Sequence, residues 1–100
     1  MNIKRIYLVI HFWKSQFDSD IKINVFSTRK LAEKIIKRKI KKALNDLVAS
    51  NHCKKDNNKF WGINGLDVIY DNTSFLATDT YGNHEEYYIL EKILRGEQDE

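Results

Sequence analysis

The stretch Ile6-Tyr-Leu-Val-Ile-His-Phe-Trp13 decides how this chain folds. It is dense in β-branched and aromatic residues and too short for a helix, so it reads as a strand. Alternation puts Ile6, Leu8, Ile10 and Phe12 on one side and Tyr7, Val9, His11 and Trp13 on the other. Both sides are apolar, the pattern of a central strand covered on two faces. A sheet with one wet face would show a polar residue at every second position.

After the polar stretch Lys14 to Asp20, the segment Ile21-Lys-Ile-Asn-Val-Phe26 alternates cleanly and places Ile21, Ile23 and Val25 on one face, so the first two strands form a hairpin. Ser27 and Thr28 supply N-cap hydroxyls, and a helix follows to Ala49 through Leu31, Ile35, Ile36, Ile40, Ala43, Leu44 and Leu47. The polar cluster Ser50 to Asn58 reads as a long, mobile loop. Between Phe60 and Tyr70, Asn64-Gly65 separates two apolar runs and marks a hairpin, because both residues tolerate positive φ. Phe75 to Thr80 is a further strand, closed by the turn Tyr81-Gly-Asn-His84. Residues 84–95 carry two signals. Tyr87, Tyr88 and Ile89 favour a strand, whereas Asn83 and Glu86 at capping-box spacing, Lys92, Arg95 and Gly96 favour a helix; the strand, paired with Phe75 to Thr80, is the reading taken. Glu97 to Glu100 is a short acidic tail expected to fray.

These elements predict an α+β domain of order β-β-α-β-β-β-β, with a mainly antiparallel sheet and one long basic amphipathic helix across one face. A difficulty follows from the first strand. It is apolar on both sides, but only one helix is available to cover it. The second face must be covered by residues 84–95 folded as a helix, by the Lys54 to Trp61 connection, or by another chain, so a homodimer or a partner-binding sheet face is expected.

The composition fits one soluble globular domain over residues 1–100, with 42% apolar and 31% charged residues and no proline-rich or repeated segment to mark a boundary. A single cysteine, Cys53, excludes an intramolecular disulfide framework and places the protein by expectation in a reducing compartment, the cytoplasm. The run after Lys4 and Arg5 is too short for a signal peptide, contains His11 and leads to Lys14 instead of a cleavage site. No stretch approaches the ~18 apolar residues of a spanning helix, so no membrane partner is expected.

The net charge of +3 conceals a division. From Met1 to Phe60 there are 15 basic and 5 acidic residues; from Trp61 to Glu100 there are 2 and 9. Within the helix, Lys30, Lys34, Lys37, Arg38 and Lys41 fall on an arc of about 100°, opposite Ile36, Ile40, Ala43, Leu44 and Leu47. Such a stripe can track phosphates or an acidic protein surface. A lysine-rich composition accounts equally for a merely solvated face. Asp79, Glu85 and Glu86 form a secondary acidic surface at the last turn, with Asp67, Asp71 and Glu91 nearby in sequence. Tyr7, His11, Trp13 and Phe26 could stack bases but fit a core better.

Catalytic signals are missing. There is no Gly-rich phosphate loop, nucleophile elbow or spaced carboxylate pair, so an enzyme is not expected. His52-Cys53 lacks an orienting group, and His11, His52, Cys53 and His84 lack ligand spacing, so neither metal nor cofactor is expected.

Ile6-Tyr-Leu-Val-Ile10, the Val25-Phe-Ser-Thr28 lead into a helix with Ala32, and the closing Gly82-Asn-His-Glu-Glu-Tyr-Tyr-Ile89 together resemble a set of small uncharacterised bacterial and phage-encoded proteins. The likeness covers about half the chain. It implies an α+β sheet with one helix and an origin in a mobile element, and it carries over no catalytic or binding residue. The expected function is that of a small non-enzymatic regulator or inhibitor that binds a host protein or nucleoprotein. The alternative is direct DNA or RNA binding through Lys30, Lys34, Lys37, Arg38 and Lys41.

Overall fold

The computed structural model describes residues 3–95; Gly96 and the acidic tail Glu97 to Glu100 lie outside the described residues. The element order is β1 (Ile3–Lys14), β2 (Ser19–Phe26), α1 (Arg29–Ala49), β3 (Cys53–Asp56), β4 (Lys59–Gly62), β5 (Leu66–Tyr70), β6 (Phe75–Asp79) and β7 (His84–Arg95). Five strands make one antiparallel sheet in the order β2-β1-β7-β6-β5, and β3 and β4 make a separate hairpin. The α+β class and the strand reading of residues 84–95 are as expected.

β1 lies inside the sheet, between β2 and β7. Its hairpin with β2 turns through residues 15–18, where the Ser15 N–H donates to the Asp18 carbonyl at 2.7 Å and the Ser15 hydroxyl accepts from the Asp18 N–H at 3.2 Å. β7 holds β1 along its whole length, with Tyr87, Tyr88 and Ile89 opposite His11, Ile10 and Val9. Asn83, one of the residues that suggested a helix, belongs instead to the β6–β7 turn, where its N–H and side-chain amide both donate to Asp79.

Thr28 caps α1: its backbone is extended and its hydroxyl accepts from the Leu31 N–H at 3.3 Å. At the other end Asn51 takes the left-handed conformation at φ 63° and the His52 N–H donates to the Leu47 carbonyl at 2.8 Å, a turn that stops the helix and satisfies a terminal carbonyl. Between these caps Ala32, Ile36, Ile40 and Leu44 are buried at i, i+4 spacing. They pack on Val9, Phe75 and Ala77, with Tyr7, Phe26, Leu66, Val68, Tyr70, Tyr87 and Ile89 around them. Strand register puts all these sheet residues on one face, so the core is a single layer between α1 and the sheet.

Two local expectations change. The segment Ser50 to Asn58 is not a loop throughout: β3 pairs with β4 across Asn57 and Asn58, both left-handed at φ 48° and 63°. Two asparagines serve the two-residue turn that Asn-Gly usually marks, and the polar exposed positions Lys54, Lys55 and Asp56 disguise the strand. Asn64 and Gly65 are left-handed at φ 57° and 85°, with the Leu66 N–H on the Ile63 carbonyl at 3.2 Å. That turn nevertheless pairs no two strands. β4 stays with β3 and β5 goes to β6, so the turn carries the chain from the small hairpin to the edge of the large sheet.

Neither of the intrachain covers considered for the second sheet face is present there. Residues 84–95 are strand β7, and the β3–β4 hairpin sits on the helix side, where Cys53 is buried and Phe60 joins the core. Among the described residues nothing lies over the opposite face. The molecule is accordingly a slab, with extents of 54 × 34 × 15 Å.

Candidate interaction surfaces

The basic residues of α1 line a trough. Lys30, Lys34 and Lys37, with Glu33 among them, border a cavity of about 570 Å³ against Asn72 and Thr73 of the β5–β6 turn. Lys37 and Lys41 border a second cavity of about 360 Å³, closed on the other side by Lys55, Asn58, Asn72 and Asp71. The two adjoin at Lys37 and Asn72, which line both. Ile40, Leu44, Phe60 and Tyr70 line the second cavity, and there the Tyr70 hydroxyl accepts from the Phe60 N–H at 2.9 Å and the two rings meet edge to face at 6.0 Å. Lys55 lies 5.3 Å from the centre of the Phe60 ring.

The electrostatics follow from which cations are paired. Arg29 bonds Glu33 at 3.1 Å and Lys42 bonds Asp46 at 2.9 Å. Lys30, Lys34, Lys37, Arg38 and Lys41 are exposed and have no carboxylate partner among the described residues. Asp71 sits on the far wall, but its Oδ1 accepts from the N–H groups of Thr73 and Ser74 at 2.8 Å each, which holds its carboxyl below the usual range. It serves its own turn. Arg38 lies on the helix surface outside both cavities.

The proposed acidic residues do not form one surface. Asp79 and Glu85 share the helix-side face, near His52 and Leu47. Glu86 points to the opposite face because successive strand residues alternate. Each has a partner: Glu85 takes His11 Nε2 at 2.8 Å, Glu86 takes His84 Nε2 at 3.2 Å, and Asp79 accepts from Tyr81 and Asn83. The Asn83 contacts, the side chain first, hold the Asp79 carboxyl low.

The aromatic residues considered for stacking bases are placed under α1. Tyr7 and Phe26 pack on the core, and the His11 ring lies parallel to Tyr87 at 4.2 Å and 8°. A cleft of about 540 Å³ beside that pair is lined by Lys22, Lys39, Lys42, Asp46 and Glu85. Burial, with the charges of Glu85 and Asp46, pushes the Tyr87 phenol up. No three His, Cys, Asp or Glu side chains gather among the described residues to hold a metal ion.

His52 and Cys53 do not act together. His52 is exposed and its Nδ1 meets the Ser50 hydroxyl at 2.9 Å, while Cys53 is buried and its thiol is pushed up by desolvation. Cys53 is therefore expected to react with a disulfide reagent about a hundredfold more slowly in native protein than in denaturant, because attack requires both exposure and thiolate. Equal rates in the two conditions would show that β3 opens freely.

The bare sheet face is the other surface. Ile21, Ile23, Val25 and Leu90 are 51%, 50%, 60% and 48% exposed there, next to Ile6, Leu8, Phe12 and Tyr88. No helix of the described chain is long and apolar enough to cross a membrane. The trough's far wall, Lys55, Phe60, Tyr70 and Asn72, escaped the sequence reading; the only available signal was the Asn57-Asn58 turn that brings Lys55 and Phe60 together as a register pair. No protein-family model matches this sequence, and no curated protein or solved structure is detectably similar to it.

Proposed function

We propose that this is a non-enzymatic binding protein that lays a single strand of nucleic acid along the trough between α1 and the β3–β4 and β5–β6 turns. The observation that supports this reading is the pair of adjoining depressions with Lys30, Lys34, Lys37 and Lys41 on the helical wall and Lys55 across from them. The helical wall is a line of cations about 17 Å long at 1.5 Å per residue, suited to a regularly charged backbone more than to an irregular acidic patch. The floor offers aromatic and aliphatic surface, and the neutral amides of Asn58 and Asn72 supply hydrogen bonds without sequence demands. A depression lined by the Phe60 and Tyr70 rings suits the bases of an unpaired strand better than a duplex.

The test is fluorescence anisotropy with labelled 20-nucleotide single strands of DNA and RNA. Five phosphate contacts give a log–log salt slope near −3.5 for single strands. Changing Lys34 and Lys41 to Gln should reduce that slope by about 1.4 and weaken binding about fiftyfold at 50 mM salt. No saturable binding at 50 mM salt would overturn the nucleic-acid reading. An acidic segment of a host protein or nucleoprotein, held by the same lysines as a regulator holds its target, would then be the occupant to test.

A further inference from the structure

We infer that the bare face of the five-stranded sheet is an isologous dimer interface whose occupant is a second copy of this chain. The inference is independent of the trough, which lies on the other side of the sheet.

The face is built by register. On β1 it carries Ile6, Leu8 and Phe12 around Ile10, which is itself only 4% exposed; on β2, Ile21, Ile23 and Val25; on β7, Tyr88 and Leu90; and on β6 and β5, Leu76 and Ile69. Strands of eight, twelve, twelve, five and five residues at about 3.3 Å each and about 4.8 Å apart give a face on the order of 700 Å², apolar at its centre with Lys14, His84, Glu86 and Lys92 toward its ends. A standard stable interface takes about 800 Å² from each partner, and a contiguous apolar patch left in water marks an interaction site. Two such faces stacked about 10 Å apart make an ordinary β-sandwich core. The second sheet supplies the cover that the two-sided apolar pattern of β1 demands.

Charge decides the orientation. Lys92 stands level with Ile6 on β1, and Glu86 stands level with Phe12; Val9 is midway between them. A two-fold axis running across the strands at the level of Val9 reverses strand direction and sets Lys92 of each copy over Glu86 of the other. It also sets Leu90 over Tyr88 and Ile23 over Val25. A two-fold axis along β1 would instead bury Glu86 over Ile21 of the second copy, a charge against hydrocarbon. His84, which bonds Glu86 within the chain, lies one residue pair nearer the end of the face and does not block the contact. The self-complementary arrangement is therefore the antiparallel one.

Sedimentation velocity from about 1 to 100 μM tests this. The full chain should run at twice 11.9 kDa. Ile23→Glu and Leu90→Glu, at positions half-exposed in one copy, should each run as folded monomers with an unchanged far-ultraviolet spectrum. Lys92→Glu and Glu86→Lys should each weaken association at least tenfold, and the double variant should recover to within about threefold of the parent, since exchanging the pair restores both contacts. A parent chain that stays monomeric throughout overturns the inference, and so does a dimer indifferent to both Glu substitutions. A dimer broken by Ile23→Glu but not recovered by the double exchange overturns the antiparallel arrangement. Retained oligonucleotide binding by the Ile23→Glu monomer would separate this result from the fate of the trough.

Discussion

Phe75→Ala is expected to destabilise the fold by about 3–5 kcal/mol, a large part of what a domain of this size has to spend. Phe75 is 1% exposed on β6 and sits where α1, β1 and β7 converge, with its ring 5.9 Å from that of Tyr87. The core is one layer thick, so few neighbours can move inward to fill the space the ring leaves. Ala77, two residues along the same strand face, is already small and cannot substitute for the lost volume. Urea denaturation followed by circular dichroism, at one fixed protein concentration because association would contribute to stability, measures the change. A loss below about 1 kcal/mol would mean that the layer around Phe75 is loosely packed.

Gly62→Ala should be nearly as damaging, for a backbone reason. A Cβ at Gly62 would stand 1.9 Å from the Leu66 carbonyl oxygen and 2.7 Å from its carbon. Both are main-chain atoms, so no side chain can swing away. The clash falls at the corner where β4 gives way to the Ile63–Leu66 turn, and relieving it means separating β5 from the hairpin. An overpacking cost of about 1–3 kcal/mol or more follows. Gly82→Ala is the matched control: its φ of 87° is strained for alanine, but nothing stands within 4 Å of the added atom. Gly62→Ala should lower the urea midpoint further than Gly82→Ala. The reverse order would show that the corner can relax at little cost.

Legibility in the sequence tracked how far apart the determining residues lie. The Thr28 cap and the buried spacing of Ala32, Ile36, Ile40 and Leu44 are local, and the helix was readable almost to the residue. The two-sided apolar pattern of β1 was also readable, together with its implication that one helix could not cover both sides. The pairings of β1 with β2 and of β6 with β7 were readable too; what could not be read was that β1 takes β7 as its second partner, or which strands β4 and β5 pair with. Asn64 and Gly65 adopt the left-handed conformations their chemistry favours, but conformation at a turn does not choose a strand's partner. Gly62 lets the chain bend before the turn, and β5 finds β6 instead. The trough was half legible for the same reason. Its lysines recur along one helix, whereas Lys55, Phe60, Tyr70 and Asn72 come from three later segments that only the tertiary fold assembles. The acidic group failed through parity, since Glu85 and Glu86 are neighbours in sequence and point to opposite sides of β7.

The pairing of β1 with β7 governs the order in which the chain can fold. Residues 3–14 find their partners in residues 84–95, with nearly the whole described chain between them, so the central pairing of the sheet has a long loop to close. On the ribosome, β1, β2 and α1 emerge early and remain an open hairpin and helix until residue 95 has cleared the exit. At roughly 5–20 residues per second that is an interval of several seconds during which Ile6, Leu8, Ile10 and Phe12 stand beside an unpaired strand edge. Synthesis therefore exposes an edge of β1 that β7 covers in the folded sheet. The last dozen described residues complete the long-range pairing at the centre of the sheet.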